Sequence, residues 1–328
     1  MKLKNVKLAI GASMLALTLV ACGGGNNGGT NGNAASNGNA QTNNQATEQN
    51  TNEKGNAGGS ASAEDLEKLG QIAVISREDG SGTRGAFTEI VGLVEKNGDQ
   101  EVDLTSQAAA VQNSTNGVMT TVAGNPSAIG YISLGSLNDT VKALKVEGVE
   151  ASPEDILNGS YKLARPFLLV TKGELKEGSV EADLIKFALS KQGQDIIEKE
   201  GYVKNETAEE YTPSDASGEI TVAGSTSVTP VMEKLVEAYK KENPNANVQI
   251  QSNGSSAGIT AVSEGMAQIG MSSRELKDEE KKDVEGTVLA QDGIAVIVNN
   301  ENKLEDITMD QINSIFKGEM PAWSDLAK

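Results

Sequence analysis

The chain has 328 residues, enough for about two domains, and carries a net charge of −18 with a pI near 4.5. This acidity argues against nucleic acid or an anionic lipid surface as the ligand, and an aromatic content of 3% argues against stacking on bases or sugars. The chain has no histidine and one cysteine, which removes the commonest transition-metal ligand, an internal disulfide and a thiol metal site. We therefore expect neither a metal nor another cofactor.

The N-terminus has the features of a secretion signal. Three lysines in the first seven residues precede an apolar run at 8–20, which is too short to span a bilayer as a mature helix. The tetrapeptide Leu-Val-Ala-Cys at 19–22 resembles the lipobox of bacterial lipoproteins. That resemblance implies a signal peptide at 1–21 and a Cys22 that is acylated, for example with palmitate, and anchors an extracytoplasmic protein to the cell membrane.

Residues 22–62 are rich in Gly, Asn, Thr, Gln and Ala and contain almost no large apolar side chain. Such a segment buries too little surface to become ordered, so it predicts a flexible tether. About 40 flexible residues have a root-mean-square reach on the order of 35 Å. The folded part would then stand off the membrane and could meet a membrane partner.

The first motif of the folded part is a strand, a glycine-rich turn and a helix. An apolar strand is predicted at 72–75, the turn is Arg-Glu-Asp-Gly-Ser-Gly-Thr-Arg at 77–84, and an amphipathic helix is predicted from about Gly85. Two glycines let the turn fold tightly, while Ser81 and Thr83 supply hydroxyls where a first helical turn has unpaired donors. Such a turn favours a small anion.

Two charged side chains extend this motif. The planar guanidinium of Arg77 can make paired hydrogen bonds to two oxygens of one tetrahedral oxyanion, and Asp79 can hold that guanidinium in place. Taken alone, the motif is equally consistent with a capped helix that carries a surface ion pair.

Strand and helix patterns continue to the end of the chain. The motif Asn-Ser-Thr-Asn-Gly at 113–117 predicts ordinary helix caps, with an approach to a binding cleft as the less favoured alternative. Residues 204–218 are polar and interrupted by proline, which predicts a connector. The predicted strands are 128–132, 141–146, 166–170 and 294–298. Besides the helix from about Gly85, which carries apolar residues at 87, 90, 91 and 94, the predicted helices are 63–69, 118–122, 180–200 and 309–316.

The pattern of strand, hydroxyl-rich turn and helix occurs twice more after the connector. A strand at 220–222 leads into Ala-Gly-Ser-Thr-Ser at 223–227, and a strand at 248–250 leads into Ser-Asn-Gly-Ser-Ser at 252–256. A further strand at 267–271 ends in two serines and an arginine. Ligand sites form at the carboxyl ends of strands in open α/β sheets, so we expect these turns to converge on one cleft.

One motif suggests an enzyme instead. Gly-Ser-Ser-Ala-Gly at 254–258 matches the Gly-x-Ser-x-Gly pattern of serine hydrolases, at the strand-to-helix corner where a nucleophile would lie. Because the chain has no histidine, Ser256 lacks the base of a catalytic triad. A serine hydrolase using Ser256 is the disfavoured alternative from another class, and we expect no enzymatic activity.

Together, these motifs resemble the substrate-binding protein of the bacterial phosphate ABC transporter, which has the two-lobed α/β periplasmic-binding-protein (type II) fold with a cleft between the lobes. Arg-Glu-Asp-Gly-Ser-Gly-Thr at 77–83 is similar to the family's phosphate loop, Gly-Ser-Thr-Ser at 224–227 to its first-strand loop and Gly-Ser-Ser at 254–256 to its second. The resemblance implies that the phosphate-binding residues are Arg77, Ser81, Gly82, Thr83, Thr226, Ser227 and Ser255.

Other polar residues are assigned less directly by the resemblance. In some family members an aspartate after the strand corresponding to 269–271 accepts the phosphate proton, whereas this chain has serines there. Asp79 and Glu78 are therefore the candidates for the proton acceptor, and either could instead orient Arg77. The possible second tier of the site is Ser225, Ser256, Ser272 and Ser273.

The order of the motifs departs from the family pattern. The family's second half comes first here, so the chain resembles a circular permutant whose end, at Leu326, should lie near Gly70. A fragment of two tandem copies that complete their folds by domain swapping is the competing account. The predicted lobes are 63–166 with 293–328 (lobe B) and 167–292 (lobe A), which includes the connector.

The resemblance implies a lipid-anchored receptor that captures inorganic phosphate and delivers it to the membrane permease and ATPase of a phosphate ABC transporter. A receptor for sulfate or another tetrahedral oxyanion is the closest alternative. We expect a monomer with no nucleic-acid partner.

Overall fold

The computed structural model describes residues 61–97, 100–206 and 209–327. The predicted signal peptide, Cys22 and the tether up to residue 60 lie outside these ranges, so lipid anchoring stays a prediction. Within the described ranges, no helix combines the length and the apolar character needed to cross a membrane.

Helices and strands alternate along most of the described chain. The helices are α1 (Ala63–Leu69), α2 (Gly82–Ile90), α3 (Thr115–Ala123), α4 (Pro153–Leu157), α5 (Val180–Leu189), α6 (Lys191–Lys199), α7 (Thr229–Glu242), α8 (Ser255–Ser263) and α9 (Met309–Lys317). The strands before the connector are β1 (Ala73–Arg77), β2 (Val94–Asn97), β3 (Gln100–Asp103), β4 (Ala110–Gln112), β5 (Ala128–Ser133), β6 (Lys142–Ala143), β7 (Lys145–Val146) and β8 (Ala164–Thr171). The later strands are β9 (Gly218–Gly224), β10 (Ala246–Ser252), β11 (Ile269–Ser272), β12 (Glu285–Val298) and β13 (Asp306–Ile307).

A curled sheet of nine strands organises the described residues, in the order β10-β9-β11-β8-β12-β5-β1-β4 with β6 also paired to β12. The outer strands run parallel to their neighbours, whereas β8 and β12 are antiparallel to each other in the middle. The 14-residue β12 pairs with β8 through 285–293 and with β5 through 294–298. It therefore belongs to both halves of the sheet, and the predicted α/β class is confirmed.

Two large hydrophobic cores lie on the two halves of this sheet in the described chain. The first packs α5, α6 and α7 against β9 and β11 and contains Tyr239 and Met271, both fully buried. The second packs α2 and α9 against β5 and β12, where Phe87 stacks on Tyr131 with ring centroids 3.9 Å apart. We call the residues around the first core lobe A and those around the second core lobe B.

The polypeptide passes between the lobes within β8 and β12. Ala164 packs against the core of lobe B, and Phe167 belongs to the core of lobe A. In β12, Ala290 belongs to lobe A and Ile294 to lobe B. The residue limits given above for the two lobes stay a prediction.

The predicted helix at 180–200 is two helices, α5 and α6. Ser190 has an extended backbone conformation (φ −74°, ψ 167°) and caps α6 by accepting a hydrogen bond from Gly193 N at 3.3 Å. A Cβ on Gly193 would lie 2.3 Å from Phe187 O, so the sharp turn requires glycine there. The prediction of one continuous helix is wrong because Ser190 acts as a cap.

Strand predictions were wrong where polar residues dominate a strand or where neighbouring residues pair with different strands. The predicted strand at 141–146 is split between β6, which pairs with β12, and β7, which pairs with β13. The β2–β3 hairpin was missed because it is rich in charged and amide residues. β12 begins well before the predicted position 294. The prediction missed its first residues because they are polar or exposed.

The C-terminal residues of the described chain return to the start of lobe B. Trp323 N donates a hydrogen bond to Gly70 O at 3.0 Å, and Gln71 forms a β-bridge with Ala322. Leu326 packs against the core of lobe B. The predicted proximity of the chain end to Gly70 is confirmed.

The connector is fastened to lobe A by a buried polar cluster. Tyr211 Oη and Tyr239 Oη both donate to Asp183 Oδ2, at 2.8 and 2.9 Å, and Asn243 Nδ2 donates to Tyr211 Oη at 2.6 Å. Burial and the Asp183 carboxylate raise the pKa of Tyr211 to about 12, so its hydroxyl remains a donor at neutral pH.

Candidate anion-binding site

The turn after β1 begins α2 earlier than predicted. Ser81 accepts a hydrogen bond from Arg84 N at 3.3 Å and is the N-cap, so α2 begins at Gly82 and not near Gly85. Gly82 and Thr83 are buried in its first turn. They occupy a helix N-terminus, where unpaired N–H groups and the helix dipole favour an anion.

A row of four hydroxyls links the two lobes. Ser227 Oγ lies 2.8 Å from Thr83 Oγ1 and 3.2 Å from Thr115 Oγ1, and Thr115 Oγ1 lies 3.3 Å from Thr226 Oγ1. Thr83 and Thr115 lie in the first turns of lobe B helices, whereas Thr226 and Ser227 belong to the turn before α7 in lobe A. These contacts bring the first two hydroxyl-rich turns together.

The third turn closes against the first. Ser256 N donates to Gly80 O at 3.1 Å. A Cβ built on Gly82 would lie 2.3 Å from Ser255 Oγ and 2.6 Å from Ser273 Oγ, so these loops approach as closely as a glycine permits. The predicted convergence of the three turns is confirmed.

Arg77 ends β1 at the centre of this arrangement and is 1% exposed. Its Nε and Nη2 donate to Glu78 Oε2 and Oε1 at 2.8 and 2.9 Å, and Nη2 also donates to Thr226 Oγ1 at 3.0 Å. Nη1 is buried and has no hydrogen-bond partner among the residues that the structure describes. The guanidinium is thus fixed by Glu78 and keeps one donor available.

The expectation that Asp79 orients Arg77 is wrong. The Asp79 side chain is 97% exposed and pairs with Arg84 Nη1 at 2.9 Å. Glu78 takes the expected role because its longer side chain reaches both Nε and Nη2 of the neighbouring guanidinium. Asp79 is also too exposed to be a buried proton acceptor.

A second hydroxyl cluster lies beneath the third turn. Ser225 Oγ donates to Ser273 Oγ at 2.9 Å, Ser255 Oγ lies 3.4 Å from Ser273 Oγ, and Ser273 N donates to Ser255 Oγ at 3.1 Å. Ser272 differs from these residues, because its hydroxyl donates to Arg274 O at 2.9 Å and shapes the turn. The structure therefore joins Ser225, Ser255 and Ser273 and leaves the Ser272 hydroxyl outside the cluster.

The motif at 113–117 both caps a helix and enters the cleft. Ser114 Oγ accepts a hydrogen bond from Gly117 N at 3.1 Å, as expected of an N-cap. Thr115 is 3% exposed and joins the row of hydroxyls. The preference for ordinary caps is right for Ser114 and wrong for Thr115, because successive residues at a helix start point in different directions.

The four arginines of the chain lie in or next to these turns or at the crossing strands, and each is paired with a carboxylate. None has a side chain more than 19% exposed. Guanidinium donors are therefore concentrated around the cleft of a chain whose net charge is −18. The pairs are Arg77–Glu78, Arg84–Asp79, Arg84–Asp103, Arg165–Asp292 and Arg274–Glu280.

One of these pairs lies where the strands cross between the lobes. Arg165 of β8 and Asp292 of β12 are register partners, and Nη2 lies 3.0 Å from Oδ2. Arg165 Nη1 donates to Ser273 O at 3.1 Å, and Ser133 Oγ donates to Asp292 Oδ1 at 3.0 Å. Burial raises the pKa of the Asp292 carboxyl, while Arg165 and Ser133 oppose that rise. The pair ties the crossing strands to both lobes.

Among the residues that the structure describes, Ser256 has no catalytic base as a hydrogen-bond partner. Its hydroxyl accepts a hydrogen bond from Arg274 Nη2 at 3.1 Å. A guanidinium stays protonated and cannot remove the serine proton. The arrangement suits binding of an oxyanion by fixed donors better than acyl transfer.

Gly82→Ala should weaken anion binding without unfolding the protein. The added methyl group would collide with Ser255 and Ser273 only when the turns are together, so we expect at least a tenfold loss of phosphate affinity. Alanine forms helices better than glycine does, so the unfolding temperature of the ligand-free protein should not fall. Calorimetric titration and thermal unfolding measure the two effects.

Gly85→Ala is the matched control for Gly82→Ala. A Cβ on Gly85 would lie 3.2 Å from Arg274 Cδ, which belongs to a long side chain that can move. Its loss of affinity should be smaller than that of Gly82→Ala. Equal binding by Gly82→Ala and the unaltered protein would contradict the close approach of the turns.

Comparison with known proteins identifies the family. A family model described as the PBP superfamily domain matches residues 19–192 and 209–328. The chain belongs to the PBP superfamily. This PBP chain is similar to "Phosphate-binding protein PstS 2" of Streptococcus agalactiae, with 51% identity over 272 residues, which are 82% of this chain and 92% of the relative.

Two further comparisons concern the fold and a more distant relative. A crystal structure of the phosphate-binding protein of a phosphate ABC transporter from Streptococcus pneumoniae matches this PBP chain with a TM-score of 0.64 and 51% identity, covering 78% of this chain and 99% of that one. "Phosphate-binding protein PstS" of Bacillus subtilis is 35% identical over 116 residues, 34% of this chain and 38% of the relative. The predicted periplasmic-binding-protein fold is confirmed.

Proposed function

We propose that this chain is an extracytoplasmic receptor that binds inorganic phosphate and delivers it to the permease and ATPase of a phosphate ABC transporter. The observation that carries the proposal is Arg77 Nη1, a buried donor without a partner among the described residues, beside a row of hydroxyls. Leaving a buried donor unsatisfied costs about 1–3 kcal/mol, and a bound oxyanion would satisfy it. The names of the relatives favour phosphate as that oxyanion.

The proposed binding mode uses fixed donors from both lobes. Arg77 supplies charge and its unpaired Nη1 donor, and the N-termini of α2 and α8 supply backbone N–H groups. Donors that are already in place lose little entropy when the anion enters, so they can replace its hydration shell. The proposed phosphate ligands are Arg77, Ser81, Gly82, Thr83, Thr226, Ser227 and Ser255.

Calorimetric titration with phosphate, sulfate and molybdate tests this function. We expect saturable binding of one phosphate per chain and weaker binding of the other anions. Preferential binding of sulfate would assign the receptor to a different oxyanion. Absence of binding together with hydrolysis of a model ester would favour the serine hydrolase.

Glu78→Gln should weaken phosphate and sulfate binding alike. Both Glu78 carboxylate oxygens accept from Arg77, so we assign Glu78 to orienting the guanidinium. Loss of charge-assisted hydrogen bonds costs about 1.5–3 kcal/mol, or roughly tenfold to a hundredfold in each dissociation constant. Calorimetric titration of the variant with both anions measures the two dissociation constants.

Asp79→Asn is the matched control for Glu78→Gln, because Asp79 is exposed and pairs with Arg84. It should change the affinity for neither anion by more than about threefold, as is usual for exposed ion pairs. If Glu78→Gln weakened phosphate and strengthened sulfate, Glu78 would be the acceptor of the phosphate proton.

The proposal includes a circularly permuted, monomeric fold with the lobe limits given above. Gly70 lies beside Trp323, and the connector packs on lobe A, as one permuted molecule requires. Solution mass tests this point: a phosphate-binding monomer supports the permuted fold, whereas binding confined to an obligate dimer favours domain swapping.

Lipid anchoring through Cys22 also belongs to the proposal. The tetrapeptide at 19–22 supports it, because this motif resembles a lipobox. Cys22→Ser should release the protein from the membrane fraction of cells that process lipoproteins. Unchanged membrane association of the variant would contradict the anchor.

A further inference from the structure

Thr115 is the first residue of α3 and contacts two of the proposed phosphate ligands. Its Oγ1 lies 3.3 Å from Thr226 Oγ1 and 3.2 Å from Ser227 Oγ, and the residue is 3% exposed. Ser114 already caps α3 through Gly117 N, so the Thr115 hydroxyl is not needed as the cap. Its position therefore suggests a role other than helix capping.

Counting protons shows that the row of hydroxyls has a donor to spare. The four hydroxyls make three contacts with one another, and Thr226 accepts a further hydrogen bond from Arg77 Nη2. Each contact uses one hydrogen, so four hydroxyl hydrogens serve three contacts and at least one remains. Either atom can be the donor in each contact, so the spare hydrogen can move along the row.

A second observation places the Arg77 guanidinium next to the same row of hydroxyls. Arg77 Nη2 donates to Thr226 Oγ1, the neighbour of Thr115, and Nη1 of the same guanidinium is buried without a partner in the described chain. A permanent charge with an unused donor and a hydroxyl row with a spare hydrogen both lack an acceptor. One oxyanion would supply acceptors to both.

We propose that Thr115 is a further phosphate-binding residue, so that α3 contributes a fourth loop to the site. This inference rests on the proposed function and adds one hydroxyl donor from lobe B. The Thr115 hydroxyl donates to a phosphate oxygen, while Ser227 turns toward Thr83. Because Thr115 belongs to lobe B and its partners to lobe A, the contact forms only when the lobes are together.

Thr115→Val and Thr115→Ser test the role of the hydroxyl in the full-length protein. Valine matches the shape of threonine without the hydroxyl, and serine keeps the hydroxyl without the methyl group. Removing a hydrogen bond to a charged group should weaken phosphate binding about tenfold to a hundredfold in Thr115→Val. Thr115→Ser should stay within about threefold of the unaltered protein.

Thr121→Val is the control within the same helix, since the Thr121 hydroxyl donates to Gly117 O at 2.8 Å and lies outside the row of hydroxyls. It should bind phosphate like the unaltered protein. Unchanged affinity in Thr115→Val, while the unaltered protein binds phosphate, overturns the role of Thr115. The role of Thr115 is also overturned if Thr115→Val lowers the unfolding temperature and leaves the phosphate affinity unchanged. Failure of the unaltered protein to bind phosphate overturns the proposed function instead.

Discussion

Arg77→Ala should abolish most phosphate binding. Arg77 is 1% exposed, and its guanidinium donates to Glu78 and Thr226 and keeps Nη1 available for the anion. In the complex, Arg77 and the phosphate would form a buried charge pair. Removing one partner of such a pair costs about 3–5 kcal/mol, which corresponds to roughly two to three and a half decades in the dissociation constant for phosphate. Calorimetric titration of the variant measures the loss.

Arg77→Lys and Arg84→Lys separate geometry from charge. Lysine keeps the charge of Arg77 but loses the planar guanidinium that bonds Glu78 and presents Nη1, so Arg77→Lys should bind nearly as poorly as Arg77→Ala. Arg84 pairs with Asp79 and Asp103 at the edge of the site, and Arg84→Lys should change the affinity less than tenfold.

A tenfold or smaller effect of Arg77→Ala on phosphate affinity would show that Arg77 does not bind the anion.

Asp292→Asn should be among the most destabilising single substitutions in the described chain. It removes the charge opposite Arg165 at a position where both side chains are at most 2% exposed. An uncompensated buried charge lowers the free energy of unfolding by about 3–5 kcal/mol. Urea unfolding of the ligand-free protein measures this change.

An exposed ion pair provides the control for Asp292→Asn. Glu305 pairs with Lys142 at 2.8 Å and is 55% exposed, so Glu305→Gln should cost about 1 kcal/mol or less. A double variant that replaces Arg165 with Met and Asp292 with Leu should recover part of the stability lost in Asp292→Asn, because no charge is left unpaired. Equal effects of Asp292→Asn and Glu305→Gln would contradict the role of the buried pair.

The local features of the site could be predicted from the sequence because they follow from short-range rules. Hydroxyl-rich turns after apolar strands predicted the loops of Thr83, Thr226 and Ser255, and the structure brings those loops together. Helix caps such as Ser81 were also predicted as hydroxyls at the start of a helix. These signals depend only on residues that are neighbours along the chain.

Individual side-chain pairs between distant parts of the chain were not predicted. Arg165 and Asp292 are 127 positions apart, and nothing in either local sequence identifies the other as its partner. The choice between Glu78 and Asp79 depends on which carboxylate reaches the Arg77 guanidinium in the folded turn, which composition does not encode. One available signal was overlooked: three of the four arginines, Arg77, Arg84 and Arg274, lie in or beside the hydroxyl-rich turns.

A crystal structure of the protein grown with phosphate tests the central claim most directly. The account predicts one phosphate between the lobes, with an oxygen within hydrogen-bond distance of Arg77 Nη1 and others on Thr83 and Ser255. A phosphate bound elsewhere, with Arg77 Nη1 still unpaired, would contradict it.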